Sequence, residues 1–447
     1  MNFKSISFYL SLFCFPISFL AFINILYASY FDYFLSIDTY FTALVVSLFI
    51  GGGLWYYGKN ASKNIDFIEQ LILVVSAYFL TSMLIAIPFY LSNYQVTFIN
   101  SFFESVSGLT GTGFSIFKNI KYLDPTLILW RSSSQWIGGL FFLLILIIIF
   151  SNKSFNYKMT NLAFSGDSNF KSKENIKDNI LKIFIIYLVL SIIILTLLNF
   201  SGLRLFNSLN ISMTLISGGG FLPTDSINKI ISTNFQKIIF IFSIFLSMLN
   251  FYLLFNLFNK RILIREHKED LYLIAVSIIF FILIYFNNYE GLDIVISVVS
   301  SLANSGLTLV KSDNNLSLYF LLLTIIGGSL ISNTSGIKLT RFYILLKITS
   351  LEIIKLISPN SIINKTIYNS DKRITEENVK MSFLIFISFF LSLFILSSLL
   401  VIDNIGFEKS FKLSILTLTN TVNSEMFDMR NINFSNLLTS SKISLIL

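Results

Sequence analysis

The chain has 447 residues, 54% of them hydrophobic and only 13% charged, with a formal net charge of +8. That balance is too apolar for a soluble protein and belongs to the polytopic membrane class. A single cysteine, Cys14, and a single histidine, His267 in a charged stretch, exclude an internal disulfide and a Cys- or His-built metal site; the basic residues are spread over several loops, not gathered into the one patch a nucleic acid needs.

In chain order, residues 5–31 and 40–57 read as two spanning helices, each near the roughly 20 residues a bilayer requires. The first run exceeds the roughly 7–15-residue core of a signal peptide. Asp32 and Asp38 lie between these helices and Lys59 and Lys63 follow, so the positive-inside rule puts both Met1 and Lys59 in the cytoplasm.

One pattern then recurs four times: a spanning helix, a half-length apolar segment ending in Gly, Ser or Asn, and a second spanning helix. The copies are 66–92, 99–109 and 126–150; 183–200, 205–216 and 237–258; 271–286, 292–302 and 318–350; and 381–402, 408–418 and 434–447, the last helix being short for a span. The domains expected are two leading helices (1–64) and pore repeats at 65–152, 179–260, 270–350 and 378–447. The half-segments, of about a dozen residues, are too short to span and suit re-entrant helices. Lys153, Lys158, Lys171, Lys173 and Lys177, then Lys260, Arg261, Arg265 and Lys268, then Lys347, Lys355, Lys365, Lys372 and Arg373 fall between copies, on the side assigned to the cytoplasm. Lys118, Lys121, Lys409 and Lys412 run against that bias.

The first half-segment ends in Thr110-Gly111-Thr112-Gly113. A helix continues poorly through two glycines, and non-helical backbone at membrane depth survives only inside protein or along a water-filled path. A half-helix followed by Gly/Thr backbone fits an ion filter, whose carbonyls replace a cation's hydration shell. The partly negative C-terminal helix end favours the same ion. Ser217-Gly218-Gly219-Gly220, Ala303-Asn304-Ser305-Gly306 and Asn420-Thr421-Val422-Asn423 stand in the equivalent places. The plain alternative is a turn between apolar helices. The fold expected is all-α and polytopic: two helices, then four helix–re-entrant pore helix–helix repeats in a K⁺-channel-like pseudo-tetramer. Glu104 and Arg131 are ionisable residues in membrane segments, which usually pair, so a mutual brace is expected; two unrelated polar residues near the outer interface are the alternative.

Residues Phe102-Phe103-Glu104-Ser105-Val106-Ser107-Gly108-Leu109-Thr110-Gly111-Thr112-Gly113 resemble the first pore segment of TrkH-type potassium transporters, in the Trk/Ktr/HKT superfamily. Leu129-Trp130-Arg131-Ser132-Ser133-Ser134-Gln135-Trp136-Ile137-Gly138-Gly139 resembles the helix after that filter, and Ser335-Gly336-Ile337-Lys338 with Arg341 is similar to the family's break in the third repeat. The resemblance covers essentially the whole chain. It implies K⁺ uptake across a bacterial inner membrane, with K⁺ held at filter carbonyls, no tightly bound cofactor and no enzymatic activity. It also implies a homodimer regulated by a cytoplasmic, TrkA-like nucleotide-binding subunit. The chain itself has neither a G-x-G-x-x-G after a strand nor a Walker loop, so any nucleotide site belongs to that separate subunit.

The same resemblance places key glycines at Gly113, Gly219 and Gly306, and leaves Val422 or Asn423 at the fourth position. Asn423 is preferred because Asn tolerates left-handed backbone better than Val. Thr421 joins them. The missing glycine keeps a Na⁺-permeable or poorly selective transporter open, and a non-conducting regulatory membrane protein is a further alternative. Ser332, Asn333, Thr334, Ser335, Gly336 and Lys338 correspond to a gating loop beneath the filter; a helix kink beside a snorkelling lysine is the bland alternative. Lys442 falls where the family has an arginine directed at the pore. Whether K⁺ moves by symport or simply follows the membrane potential stays open.

Overall fold

The computed structural model describes residues 2–61, 65–150, 176–251, 268–285, 291–310, 314–358, 366–367, 374–429 and 432–446. Lys63, Lys153, Lys158, Lys171, Lys173, Lys260, Arg261, Arg265, His267, Lys365, Lys372 and Arg373 lie outside the described residues.

The architecture is all-α, in the expected order. Two leading helices, α1 (Phe3–Tyr30) and α2 (Phe34–Gly58), precede the first repeat, α3 (Phe67–Leu91), α4 (Phe98–Thr110) and α5 (Pro125–Phe150). The second repeat is α6 (Ile176–Phe200), α7 (Leu205–Ile216) and α8 (Asn234–Met248). The third is α9 (Lys268–Tyr285), α10 (Gly291–Leu302), α11 (Asn314–Ile326) and α12 (Leu339–Ile357). The fourth is α13 (Glu376–Ile402), α14 (Phe407–Leu418) and α15 (Thr439–Ile446). Among the described residues five helices are long and apolar enough to cross a membrane: α1, α2, α3, α6 and α13. This is a multi-pass membrane protein.

Local chemistry accounts for the boundaries. The Asp66 and Glu69 side chains form a capping box at the start of α3. Glu69 Oε2 accepts from Asp66 N at 3.1 Å, and its Oε1 accepts from Asn2 N at 2.5 Å, so one carboxylate closes the start of two helices. Lipid tails are as apolar as leucine, so helix association rests on close packing and internal hydrogen bonds. The core of the leading helices and first repeat shows both: Phe13 meets Phe141 edge-on at 4.8 Å, and the buried Trp130 Nε1 donates to Ile85 O at 3.0 Å.

The run over 318–350 is two helices, interrupted at 327–338 where the sequence implied a break, and there Gly327 and Gly336 take left-handed φ of 69° and 80°. Two elements depart from the sequence reading. The helix expected over 237–258 ends at Met248, and residues 252–258 lie outside the described residues. The terminal helix expected over 434–447 is a 3-10 turn, Phe434–Asn436, followed by an α15 of 8 residues, consistent with the weak helix propensity of its Thr-Ser-Ser opening.

The chain divides into two compact units. Met1–Phe155, Asn179–Gln236 and Asn431–Leu447 make the first; Asn156–Asp178 and Lys237–Arg430 make the second. The first holds the short helices α4 and α7, and the second holds α10 and α14. The C-terminal segment belongs to the first unit: α15 packs on α4, and Phe434 stacks on Phe114 with ring centroids 4.6 Å apart.

Candidate ion-filter site

The four short helices are 13, 12, 12 and 12 residues long, and each ends in a turn with one backbone design. In each turn one residue takes left-handed φ and donates its N–H to the carbonyl three residues back: Gly111, Gly218, Asn304 and Asn420. The next residue's N–H reaches five back in three of them, at Gly219, Ser305 and Thr421. Gly113 and Gly306 then reach six back, to Ser107 O and Ser300 O. In a trans peptide the N–H and the preceding C=O point in opposite directions. Turning these N–H groups back onto the helix therefore aims the carbonyls of Thr110, Thr112, Ser217, Gly218, Ala303, Asn304, Ser305, Thr419 and Asn420 away from it. Small or left-handed-tolerant residues are what such a path requires.

These bonds fix the register. Two residues beyond each left-handed position stand Gly113, Gly220, Gly306 and Val422. The second of these is Gly220, one residue beyond the Gly219 implied by the resemblance. The fourth is Val422, one residue before Asn423. Gly113 and Gly306 are left-handed (φ 78° and 67°) whereas Gly220 and Val422 are not, so a β-branched residue fits at 422 without backbone strain. Asn423 lies one step further, with its Nδ2 donating to Met429 O at 3.2 Å.

Within each unit the two turns meet backbone to backbone. In the first, a Cβ at Gly113 would lie 3.0 Å from Gly220 Cα, and one at Gly111 would lie 3.8 Å from Gly219 Cα and Ser217 O. In the second, a Cβ at Gly306 would lie 2.7 Å from Val422 O and 2.8 Å from Val422 Cγ1.

In the first unit α5 supports both turns. Glu104, fully buried on α4, accepts from Arg131 Nε at 2.8 Å and from Ser115 Oγ at 3.1 Å, while its other oxygen accepts from Ile116 N at 2.8 Å. The expected Glu104–Arg131 pair is thus present, and it also holds the segment leaving the first turn. The Arg131 guanidinium sits 4.1 Å from the Phe221 ring centroid. Gln135, not singled out from the sequence, accepts from Phe221 N at 3.1 Å and closes so tightly on Gly219 that a Cβ there would lie 2.4 Å from Oε1. Only its place one turn beyond Arg131 on the same helix hinted at this role. Outside the turns, Asp225 Oδ1 accepts from Ile120 N at 2.8 Å and its Oδ2 from Lys229 Nζ at 2.7 Å, joining the two exit loops. Partial burial pushes the Asp225 carboxyl up, but Lys229 and the N–H groups of Ile120 and Lys121 outweigh it, so it titrates below its ordinary value. Lys442 is buried on α15 and donates to Ser435 O at 2.8 Å.

In the second unit the element following the third turn is the interrupted helix α11–α12. Its break closes on itself: Ile337 N donates to Ile325 O at 2.9 Å and Leu339 N to Gly328 O at 3.3 Å. Lys338 is buried in an oxygen cage, its Nζ donating to Ser332 O, to the Ser332 and Thr334 hydroxyls and to Thr334 O. The break is pinned from outside by Ser329 N to Met248 O (3.2 Å) and Phe251 N to Ile331 O (2.7 Å). Glu269, at the start of α9, accepts from Leu330 N at 2.9 Å and from the Thr340 hydroxyl. Glu269 was also passed over in the sequence, because it directly follows a charged stretch and reads as more of it.

Residues 36–285, more than half of the chain, match the TrkH family of cation transport proteins. An uncharacterized cation transporter of Methanocaldococcus jannaschii is 27% identical over 86% of this chain and 82% of its own length. The Trk system potassium uptake protein TrkG of Escherichia coli strain K12 is 27% identical over 83% of this chain and 80% of its own. The crystal structure of the potassium transporter TrkH from Vibrio parahaemolyticus has the same fold, with a TM-score of 0.86 at 20% identity, covering 100% of this chain and 95% of that one. The chain therefore belongs to the TrkH family of cation transport proteins, a family of transporters and not of enzymes.

Proposed function

We propose that this chain takes up potassium across a bacterial inner membrane through a filter lined by carbonyls of its four turns. The observation that supports this reading most directly is the shared turn geometry, in which peptide N–H groups fold back onto each short helix and carbonyls face away. Such carbonyls replace the hydration shell of a cation, and the helix C-termini behind them add negative potential. The family and the relatives named as potassium uptake proteins agree with potassium as the ion. The filter comprises Thr110–Gly113, Ser217–Gly220, Ala303–Gly306 and Thr419–Asn423, and the break at 327–338 is its gate, with Lys338 holding the loop together from within. Glu104, Arg131 and Lys442 support the filter without touching the ion. The N-terminus is cytoplasmic, the protein is a homodimer, and a TrkA-like nucleotide-binding subunit regulates it, the chain having no nucleotide motif of its own.

Val422 favours a second reading, weak discrimination of K⁺ from Na⁺, since its side chain stands where the other three turns have glycine. Growth of a potassium-uptake-deficient bacterium on limiting K⁺ tests the proposal. Rescue is expected from the intact chain together with a TrkA-like subunit, and is lost when Gly113 is substituted. Failure to rescue with and without that subunit would favour a non-conducting protein.

A further inference from the structure

The left-handed positions of the first unit, Gly111 and Gly218, carry no side chain, but those of the second, Asn304 and Asn420, do (φ 58° and 46°). Glycine would satisfy the backbone equally well, so the amides are additional, and both reach the interrupted helix. Asn304 Nδ2 donates to Thr324 O at 2.9 Å, shortly before α11 breaks, and to Thr421 Oγ1 at 3.3 Å, joining the third turn to the fourth. Asn420 Nδ2 donates to Ser335 Oγ at 2.9 Å, inside the break. Ser335 lies at the throat of the loop, where a Cβ at Gly327 would stand 2.2 Å from its carbonyl oxygen.

We propose that the Asn420–Ser335 hydrogen bond couples the gate to the filter. The loop leaves its place only by releasing the side chain that positions the fourth turn, so ion discrimination and loop opening change together. Asn420 is thus a positioning residue whose effect passes through Ser335, and the inference rests on reading 327–338 as the gate. Coupling of this kind requires an element with two arrangements that both ends bias, and it is reciprocal.

Asn420→Gly isolates the amide, because glycine keeps the left-handed turn and already serves at Gly111 and Gly218. The test uses the full-length protein in proteoliposomes, with K⁺ and Na⁺ flux measured separately. Asn420→Gly and Ser335→Ala are each expected to raise K⁺ flux roughly fivefold, the effect of one net hydrogen bond on a two-state equilibrium, and to lower the K⁺/Na⁺ ratio. Ser335→Thr, which keeps a hydroxyl, should stay near the parent. The double variant should go no further than either single change, because both remove one bond. Parental flux and ratio in Asn420→Gly, or effects that multiply in the double variant, would overturn the coupling. Deleting residues 332–334 tests the gate separately. Raised flux in the deletion with a silent Asn420→Gly removes the coupling and keeps the gate; unchanged flux in the deletion removes both.

Discussion

The two pairs of turns end short helices of the same kind but rest on different supports. In the first unit α5 runs unbroken behind both turns. Arg131, Ser134, Gln135 and Gly138 recur at helical spacing, and each touches a pore helix or turn: a Cβ at Gly108 would lie 2.2 Å from Ser134 Oγ, and one at Gly138 would lie 1.9 Å from Leu109 O. In the second unit the corresponding helix stops at Ile326 and restarts at Leu339, and the turns are held by side-chain amides that reach the break and the helix before it. A continuous helix gives a turn one position. A self-closed loop of Gly, Ser, Thr and Asn, pinned by separate hydrogen bonds, has an alternative arrangement whenever those bonds are given up. The contrast assigns rigidity to the pair Gly113/Gly220 and adjustability to the pair Gly306/Val422.

The strongest way to break this contrast is at Glu104. Glu104→Gln leaves the Arg131 guanidinium buried without its carboxylate, and removing one partner of a buried ion pair costs about 3–5 kcal/mol. A large drop in the melting temperature of the detergent-solubilised protein is expected, with loss of transport, whereas Ser335→Ala in the second unit should melt close to the parent. Similar melting for the two variants would mean that α5 is not the stiffer support.

Val422→Gly sharpens the contrast next, because it gives the second pair the glycines of the first. It removes the Cγ1 packed against Gly306, and the K⁺/Na⁺ flux ratio should rise on the order of tenfold, about 1.4 kcal/mol of discrimination. An unchanged ratio would show that this side chain does not shape the ion path.

Asp225→Asn is the smallest of the three changes. Because the folded carboxyl titrates below its ordinary value, its contribution to stability is present above the unfolded pKa, near ~3.9, and is lost as pH falls through the lower folded value. Parent and variant should differ by less than about 1 kcal/mol at neutral pH, as befits a partly exposed ion pair, and converge as the pH drops below about 4. A gap that persists under acid would remove the charge on Asp225 as the cause.

The pore helices were legible in the sequence almost to the residue, α7 at both ends, because apolar periodicity closed by Gly, Ser or Asn is a local signal. The Glu104–Arg131 pair was legible for a different reason: a charge inside the membrane demands a partner. The register of the fourth turn was not. Val422 and Asn423 are adjacent, and only the backbone shows that neither takes left-handed φ, so the tolerance of Asn for that region does not separate them. Gln135 was marked only by standing one helical turn beyond Arg131, which does not say what its amide contacts. Glu269 was masked by its charged neighbours. The links from Asn304 and Asn420 join residues 20 and 85 positions apart, and local pattern contains no trace of them.

The central claim, that K⁺ passes along the backbone of these turns, is tested most directly at Gly113. Its φ of 78° and the 3.0 Å from a Cβ to Gly220 Cα leave no room for a side chain without moving the carbonyls. The measurement is rubidium or K⁺ influx into proteoliposomes holding the full-length protein under an inside-negative potential, where ~100 mV supplies about 2.3 kcal/mol per charge. Influx that exceeds Na⁺ influx in the parent, and collapses in a Gly113→Ser variant still recovered as folded protein, is the result the account predicts. Parental influx in Gly113→Ser would contradict it.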